Sequence, residues 1–89
     1  MIKLTAVEPK DSYQLLLHFS DGASGVYDFA PFIAADTEMT APLRDPDFFA
    51  HYFIELGALA WPNGLDFSAG SLHQRLQNAG KLQRSIKTA

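Results

Sequence analysis

The sequence predicts an α+β domain of two layers, in which helices cover one face of a mainly antiparallel sheet. Short apolar runs that alternate with polar residues fill the first third of the chain, and turn residues separate them, as is typical of antiparallel strands. Helix start signals follow later, and strands that precede helices favour a sheet with helices packed against it. The predicted order of elements is β-β-β-α-β-β-α.

Length and composition indicate one small domain, which we place at residues 1–80. The chain has 89 residues, of which 47% are apolar and 19% charged, as in ordinary globular proteins. It has no cysteine, which excludes disulfides and thiolate metal sites. No apolar run approaches the ~20 residues of a membrane span, and Lys3 and Glu8 interrupt the N-terminal apolar run. These features predict a cytoplasmic protein without membrane contact.

Three strands in a meander open the predicted fold. The segments "MIKLTAVEP", "QLLLHF" and "ASGVYDF" form them, and Leu15, Leu17 and Phe19 share one face because side chains alternate along a strand. The dipeptide Asp21-Gly22 predicts the second turn, since glycine supplies the positive φ that a tight hairpin needs.

Later elements begin and end at recognisable residues. Proline favours a short helix over 31–35, and Asp45 is an N-cap candidate before Pro46. The runs "FIEL" and "ALAW" predict two short strands joined at or near Gly57. Ser68 caps the final helix, where Leu72, Leu76 and Ala79 recur at helical spacing before Gly80 ends it. The basic segment 81–89 is expected to be a flexible tail that packs against little.

The expected core consists of large apolar side chains on the inner faces of these elements. Its members are Leu4, Leu15, Leu17, Phe19, Phe32, Leu43, Phe48, Phe49, Phe53, Trp61 and Leu72.

Charge is unevenly distributed along the chain. Up to Asp66 there are ten acidic and three basic residues, whereas Arg75, Lys81, Arg84 and Lys87 follow without any acid. This basic end is either a solvated helix face or a contact surface for an acidic partner. Four charges without interleaved aromatics or a helix-turn-helix do not predict direct nucleic-acid binding by this domain.

No motif in the sequence predicts catalysis, a metal site or a cofactor. The histidines His18, His51 and His73 lack the spacing of paired metal ligands. There is no Gly-x-Ser-x-Gly elbow and no glycine-rich phosphate loop. We therefore expect no catalytic residues, no bound metal and no cofactor.

The stretch "AWPNGLDFSAGSLHQRL" is the densest group of chemically active residues in the chain. It holds five candidate binding residues: Trp61, Asn63, Asp66, His73 and Arg75. A single tryptophan beside a Pro-Asn-Gly turn is most often a core residue, and we expect Trp61 to be mostly buried. A half-exposed ring would instead anchor a partner, because tryptophan is enriched at binding hot spots.

The chain resembles a family of small bacterial domains of unknown function, number 2442. The resemblance rests on "VEPKDSYQLLLHFSDGASGVYDFAPFI" and "APLRDPDFFAHYFIELGALAWPNGLDFSAGSLH", with their Phe-Ser-Asp-Gly, Leu-Arg-Asp-Pro and Trp-Pro-Asn-Gly motifs. It implies a β-β-β-α-β-β-α fold and brings no established catalytic residues. Some members carry a following helix-turn-helix domain, and others lie beside toxin–antitoxin-like partners. His73 stands where an aromatic residue is usual.

Two functions remain open at this point. The first is a non-catalytic protein-interaction or regulatory module, antitoxin-like or linked to transcription regulation through another protein. The alternative is a small ligand-binding or enzymatic domain that uses the corner of Trp61, Asp66 and His73. A deep polar pocket would favour the second function, and an exposed apolar patch or sheet edge the first. Homo-oligomer formation also stays open.

Overall fold

The structure is a computed structural model that describes residues 1–84 of the chain. Its strands are β1 Leu4–Pro9, β2 Gln14–Phe19, β3 Ala23–Asp28, β4 Phe53–Glu55, β5 Ala58–Ala60, β6 Asp66–Phe67 and β7 Gln83–Arg84. Its helices are α1 Ala30–Ala34, a 3₁₀ helix Ala41–Arg44, α2 Pro46–Phe49 and α3 Ala69–Asn78. All strand pairs are antiparallel. The predicted α+β class is confirmed, with short strands that the predicted order did not contain.

The N-terminal meander has the predicted strands and the predicted turn. Strands β1, β2 and β3 pair in sequence order, and Leu17 lies opposite Val7 on one side and Gly25 on the other. Gly22 has a φ of 86°, and the Asp21 carboxylate accepts a hydrogen bond of 3.0 Å from the Ala23 N–H. The turn therefore forms because glycine adopts the left-handed region and aspartate satisfies the backbone.

A second, three-stranded sheet has the order β4-β5-β6. Strands β4 and β5 form a hairpin around the two residues Leu56 and Gly57, at the predicted junction. Strand β6 lies where the sequence indicated only a connection to the last helix. The Gly57 carbonyl accepts a hydrogen bond of 2.8 Å from the Leu4 N–H, which connects the hairpin to β1 of the meander.

Capping side chains begin α2 and α3 as predicted. Asp45 precedes α2, and its carboxylate accepts a hydrogen bond of 3.0 Å from the Asp47 N–H. Ser68 precedes α3, and its hydroxyl accepts one of 3.1 Å from the Ser71 N–H. Gly80 follows α3 with a φ of 70°, so the helix ends in the left-handed conformation that glycine favours.

Eight of the eleven predicted core residues are buried, three are not, and several buried residues were not predicted. Phe53 is 41% exposed, so its placement in the core was wrong. Phe32 and Phe48 are only partly buried and lie against the core from outside. Phe29, which was not predicted to be a core residue, is fully buried. Leu59, Leu76, Ile33, Ala23 and Ala69 complete the buried apolar set.

The chain after Gly80 does not conform to the expected tail. The Lys81 N–H donates to the Leu76 carbonyl, Leu82 packs against the core, and β7 pairs with β3. The expectation that this segment packs against little is therefore wrong for residues 81–84. Residues 85–89, including Lys87, lie outside the described part of the chain.

Candidate functional site

Trp61 is an internal part of the fold. Its side chain is 1% exposed, and its indole N–H donates a hydrogen bond of 2.9 Å to the Phe49 carbonyl. The rings of Phe29 and Phe67 meet it edge to face, with centroids 5.7 Å and 5.9 Å away. The expected burial of Trp61 is confirmed, and the indole is not accessible to a partner.

Asn63 shapes the turn that follows the tryptophan. Its side-chain amide N–H donates to the Met39 carbonyl at 3.1 Å, and its oxygen accepts from the Leu65 N–H at 3.1 Å. Asp66 is exposed on β6 and lies opposite Ala60. The Asn63 contacts order the backbone, which accounts for this residue in structural terms.

His73 and Arg75 contact other parts of the molecule. The ring of His73 lies edge-on against Phe19, and its Nε2 lies 2.9 Å from a carboxylate oxygen of Asp21. The Arg75 guanidinium lies 5.3 Å from the centroid of the Phe32 ring, a cation–π geometry. Within residues 1–84, no hydrogen bond, ion pair or ring contact joins any two of the five candidate binding residues. They do not form one constellation.

Asp21 connects three elements through its carboxylate. Besides His73 of α3, the Arg84 guanidinium of β7 lies 3.2 Å from the same carboxylate oxygen. Burial raises the pKa of Asp21, but the Ala23 N–H, the hydrogen bond to His73 and the charges of His73 and Arg84 outweigh it and lower the pKa below its ordinary value. The carboxylate is therefore the favoured form in the folded protein.

This lowered pKa predicts a loss of stability in acid. A carboxyl group that is more acidic when folded stabilises the protein above its unfolded-state pKa of about 3.9 and ceases to do so as the pH falls through the folded-state value. We expect Asp21→Asn to lower the urea midpoint at pH 7, and the gap to the parent protein to shrink at about pH 3. A gap that widens in acid would contradict the assigned role of the charge.

The described residues offer neither a metal site nor a membrane span. Residues 1–84 contain no cluster of three or more histidine, cysteine or acidic side chains positioned to hold a metal ion. Within the same range, no helix is long and apolar enough to span a membrane.

Exposed apolar side chains concentrate on the β4–β5 hairpin. Phe53 is 41% exposed, Ile54 38% and Leu56 93%. We call these three residues the apolar hairpin. Leu56 also has a φ of 52°, in the left-handed region that a residue with a Cβ rarely adopts. Met1, Leu56 and Gly57 border a common surface cavity of about 330 Å³, so the N-terminal residue continues the patch.

A separate apolar cavity of about 400 Å³ lies between the β1–β2 turn and α2. We call it the aromatic cavity. Its lining residues are Pro9, Ser12, Tyr13, Leu15, Pro46, Phe49, Ala50 and Tyr52. None of the five candidate binding residues lines it. Neither this cavity nor the apolar hairpin was predicted from the sequence, although the Leu-Gly turn at residues 56–57 is visible in it.

Fold and surface together define a small α+β domain whose distinctive surfaces are apolar and whose polar clusters connect its own elements. The sequence profile of the family described as "Protein of unknown function (DUF2442)" matches residues 4–77. The chain belongs to this family, as the resemblance indicated. No curated protein and no solved structure gives a significant match to the chain.

Proposed function

We propose that the protein is a non-catalytic interaction module that binds another protein through the apolar hairpin. Leu56 carries this proposal, because it combines a left-handed backbone with a side chain that is 93% exposed. The left-handed conformation costs a residue with a Cβ about 1–2 kcal/mol. Because the leucine side chain is exposed, its burial within the domain does not offset this cost. Such strain concentrates at functional sites.

The neighbouring residues extend the surface around Leu56. Phe53 and Ile54 precede it on β4, where their side chains point to opposite faces of the strand, and both are more than a third exposed. Single exposed apolar residues need no explanation, whereas three on one short hairpin are a concentration that an interaction site would account for. The hairpin is therefore a better candidate for binding than the corner around Trp61, whose residues contact separate parts of the fold.

The charge of the chain points to the chemistry of the partner. Up to Asp66, the chain has ten acidic residues and three basic ones. Complementary potentials speed association and select partners, so the proposed partner is a basic protein. A regulatory or antitoxin-like role, which the family resemblance implies, is the form of this function that we favour.

Replacing Leu56 with asparagine gives opposite effects on stability and binding. Asparagine tolerates the first position of this turn, so we expect Leu56→Asn to raise the free energy of unfolding by about 1 kcal/mol. The same change removes the exposed leucine and weakens partner capture. Urea denaturation followed by tryptophan fluorescence measures the first effect, and quantitative mass spectrometry of proteins captured from a lysate of the source organism measures the second.

Met39→Asn is the control, because Met39 is another exposed large apolar residue, at 41%, and lies outside the hairpin. A partner that the parent protein and Met39→Asn retain and Leu56→Asn loses, and that rebinds when purified, supports the proposal. Equal capture by all three proteins would contradict it. Because Leu56→Asn is expected to be more stable than the parent, misfolding cannot explain a loss of binding.

A further inference from the structure

Contacts within the fold hold the side chains that line the aromatic cavity, and the function proposed above does not involve this cavity. Its floor is Leu15 and Phe49, which are 0% and 6% exposed. The Tyr13 ring meets Phe49 edge to face with centroids 5.2 Å apart, and the Tyr13 hydroxyl donates to the Arg44 carbonyl. These contacts fix the rings before any ligand arrives, and a preformed site lowers the entropy cost of binding.

Exposed acidic residues adjoin the lining residues of this cavity in the sequence. Glu8, Asp11, Asp45 and Asp47 are each exposed and adjacent in sequence to a lining residue, against one basic neighbour, Lys10. Glu8 is paired with His18 at 2.6 Å, and Arg44 is paired with Asp36 at 2.9 Å. Within residues 1–84, Asp11, Asp45 and Asp47 make no ion pair. The rim therefore carries excess negative charge, and a cationic partner is the complement of that charge.

Tyr52 shows that this negative charge reaches the lining. Burial raises the pKa of Tyr52, and the charge of Glu8 raises it further, so both favour the neutral phenol. Within residues 1–84, the Tyr52 hydroxyl makes no hydrogen bond. It is a neutral donor at the cavity, suited to a peptide carbonyl.

We propose that the aromatic cavity binds an extended basic segment of a partner protein, with one apolar side chain in the cavity and lysine or arginine on both sides of it. A segment fits better than a small molecule because the carboxylates without an ion pair lie beside two separate elements: Asp11 is in the β1–β2 turn, and Asp45 and Asp47 flank Pro46 at the start of α2. This inference rests on the proposed interaction function but uses a surface distinct from the apolar hairpin.

The test is direct binding of a synthetic peptide to the purified full chain. The probe is a fluorescein-labelled peptide with a central leucine and two lysines on each side, and fluorescence anisotropy reports binding. Two comparison peptides replace the leucine with serine or the lysines with glutamine. We expect each comparison peptide to bind at least about tenfold more weakly than the probe. Added salt should lower the affinity for the probe.

Variants of the protein locate the binding. Ala50→Leu fills the cavity from an exposed position. The double variant Asp11→Asn with Asp47→Asn reduces the negative charge at the rim. We expect each of these two proteins to bind the probe about tenfold more weakly than the parent. Glu38→Gln with Asp66→Asn removes the same charge elsewhere and leaves binding unchanged. Thermal melts of every variant check the fold.

Three results would overturn the proposal. They are no probe binding by the parent protein at about 1 mM, equal binding by Ala50→Leu, and concentration-dependent dimerisation in sedimentation that Ala50→Leu abolishes. The last result would assign the cavity to a second copy of this chain. Leu56→Asn should leave peptide binding unchanged, so failure of the hairpin proposal and failure of the cavity proposal remain distinguishable.

Discussion

Replacement of Phe29 with alanine is expected to lower the free energy of unfolding by about 3–5 kcal/mol, the usual cost of removing a large buried ring. Phe29 is 0% exposed and stands at the centre of the aromatic cluster. Its ring centroid lies within about 6.2 Å of five others, those of Tyr27, Phe32, Phe49, Trp61 and Phe67. Small domains are stable by only about 5–15 kcal/mol, so this change removes much of the total.

Phe53→Ala is the matched control for this experiment. It removes the same ring from a position that is 41% exposed, and the expected change is within about 0.5 kcal/mol. Urea denaturation followed by far-ultraviolet circular dichroism measures both, since fluorescence of Trp61 beside Phe29 would respond to the substitution itself. Similar costs at the two positions would contradict the assigned core.

Phe29 and Phe53 show that the local sequence pattern does not determine which phenylalanine is buried. Both lie in apolar runs, so the local sequence pattern alone does not predict a difference in burial between them. Phe29 becomes buried because it follows β3 and meets Trp61 and Phe67, which are distant in sequence. Phe53 lies on β4 opposite the buried Ala60 and is still 41% exposed, because few other side chains cover its ring. Contacts between distant segments therefore decided burial.

Local signals were reliable because a few adjacent residues determine them. The Asp21-Gly22 turn and the caps Asp45 and Ser68 each depend on hydrogen bonds within three residues. The two-residue strands β6 and β7 have no such signal, since pairing with β5 and β3 creates them. Short strands of this kind cannot be identified from alternation.

The surfaces proposed to bind partners were missed for a related reason. The five candidate binding residues are conspicuous as residue types, yet in the structure Trp61, Asn63 and His73 satisfy contacts within the fold. Leu56 is an ordinary residue that becomes notable only through its positive φ and exposure. The aromatic cavity joins segments around residues 9–15 and 46–52, which no sequence window contains.

Gly25 provides a test of the contact between β3 and the chain that follows α3. A Cβ at this buried position would lie 2.8 Å from the Lys81 carbonyl oxygen and 3.1 Å from a methyl carbon of Leu76. The Lys81 backbone cannot easily move, because its N–H is bonded to the Leu76 carbonyl and β7 pairs with β3 two residues later. Gly25→Ala is therefore expected to cost about 1–3 kcal/mol, as overpacking usually does.

Gly70→Ala makes the same chemical change where it should help. Gly70 lies in α3, and an added Cβ there meets no heavy atom within 4 Å. Alanine is the better helix former, so we expect Gly70→Ala to stabilise by up to about 1 kcal/mol. Urea midpoints give both values, and amide hydrogen exchange at Gln83 should quicken in Gly25→Ala alone. Unchanged exchange at Gln83 together with an unchanged midpoint would mean that β7 does not depend on the space that Gly25 leaves.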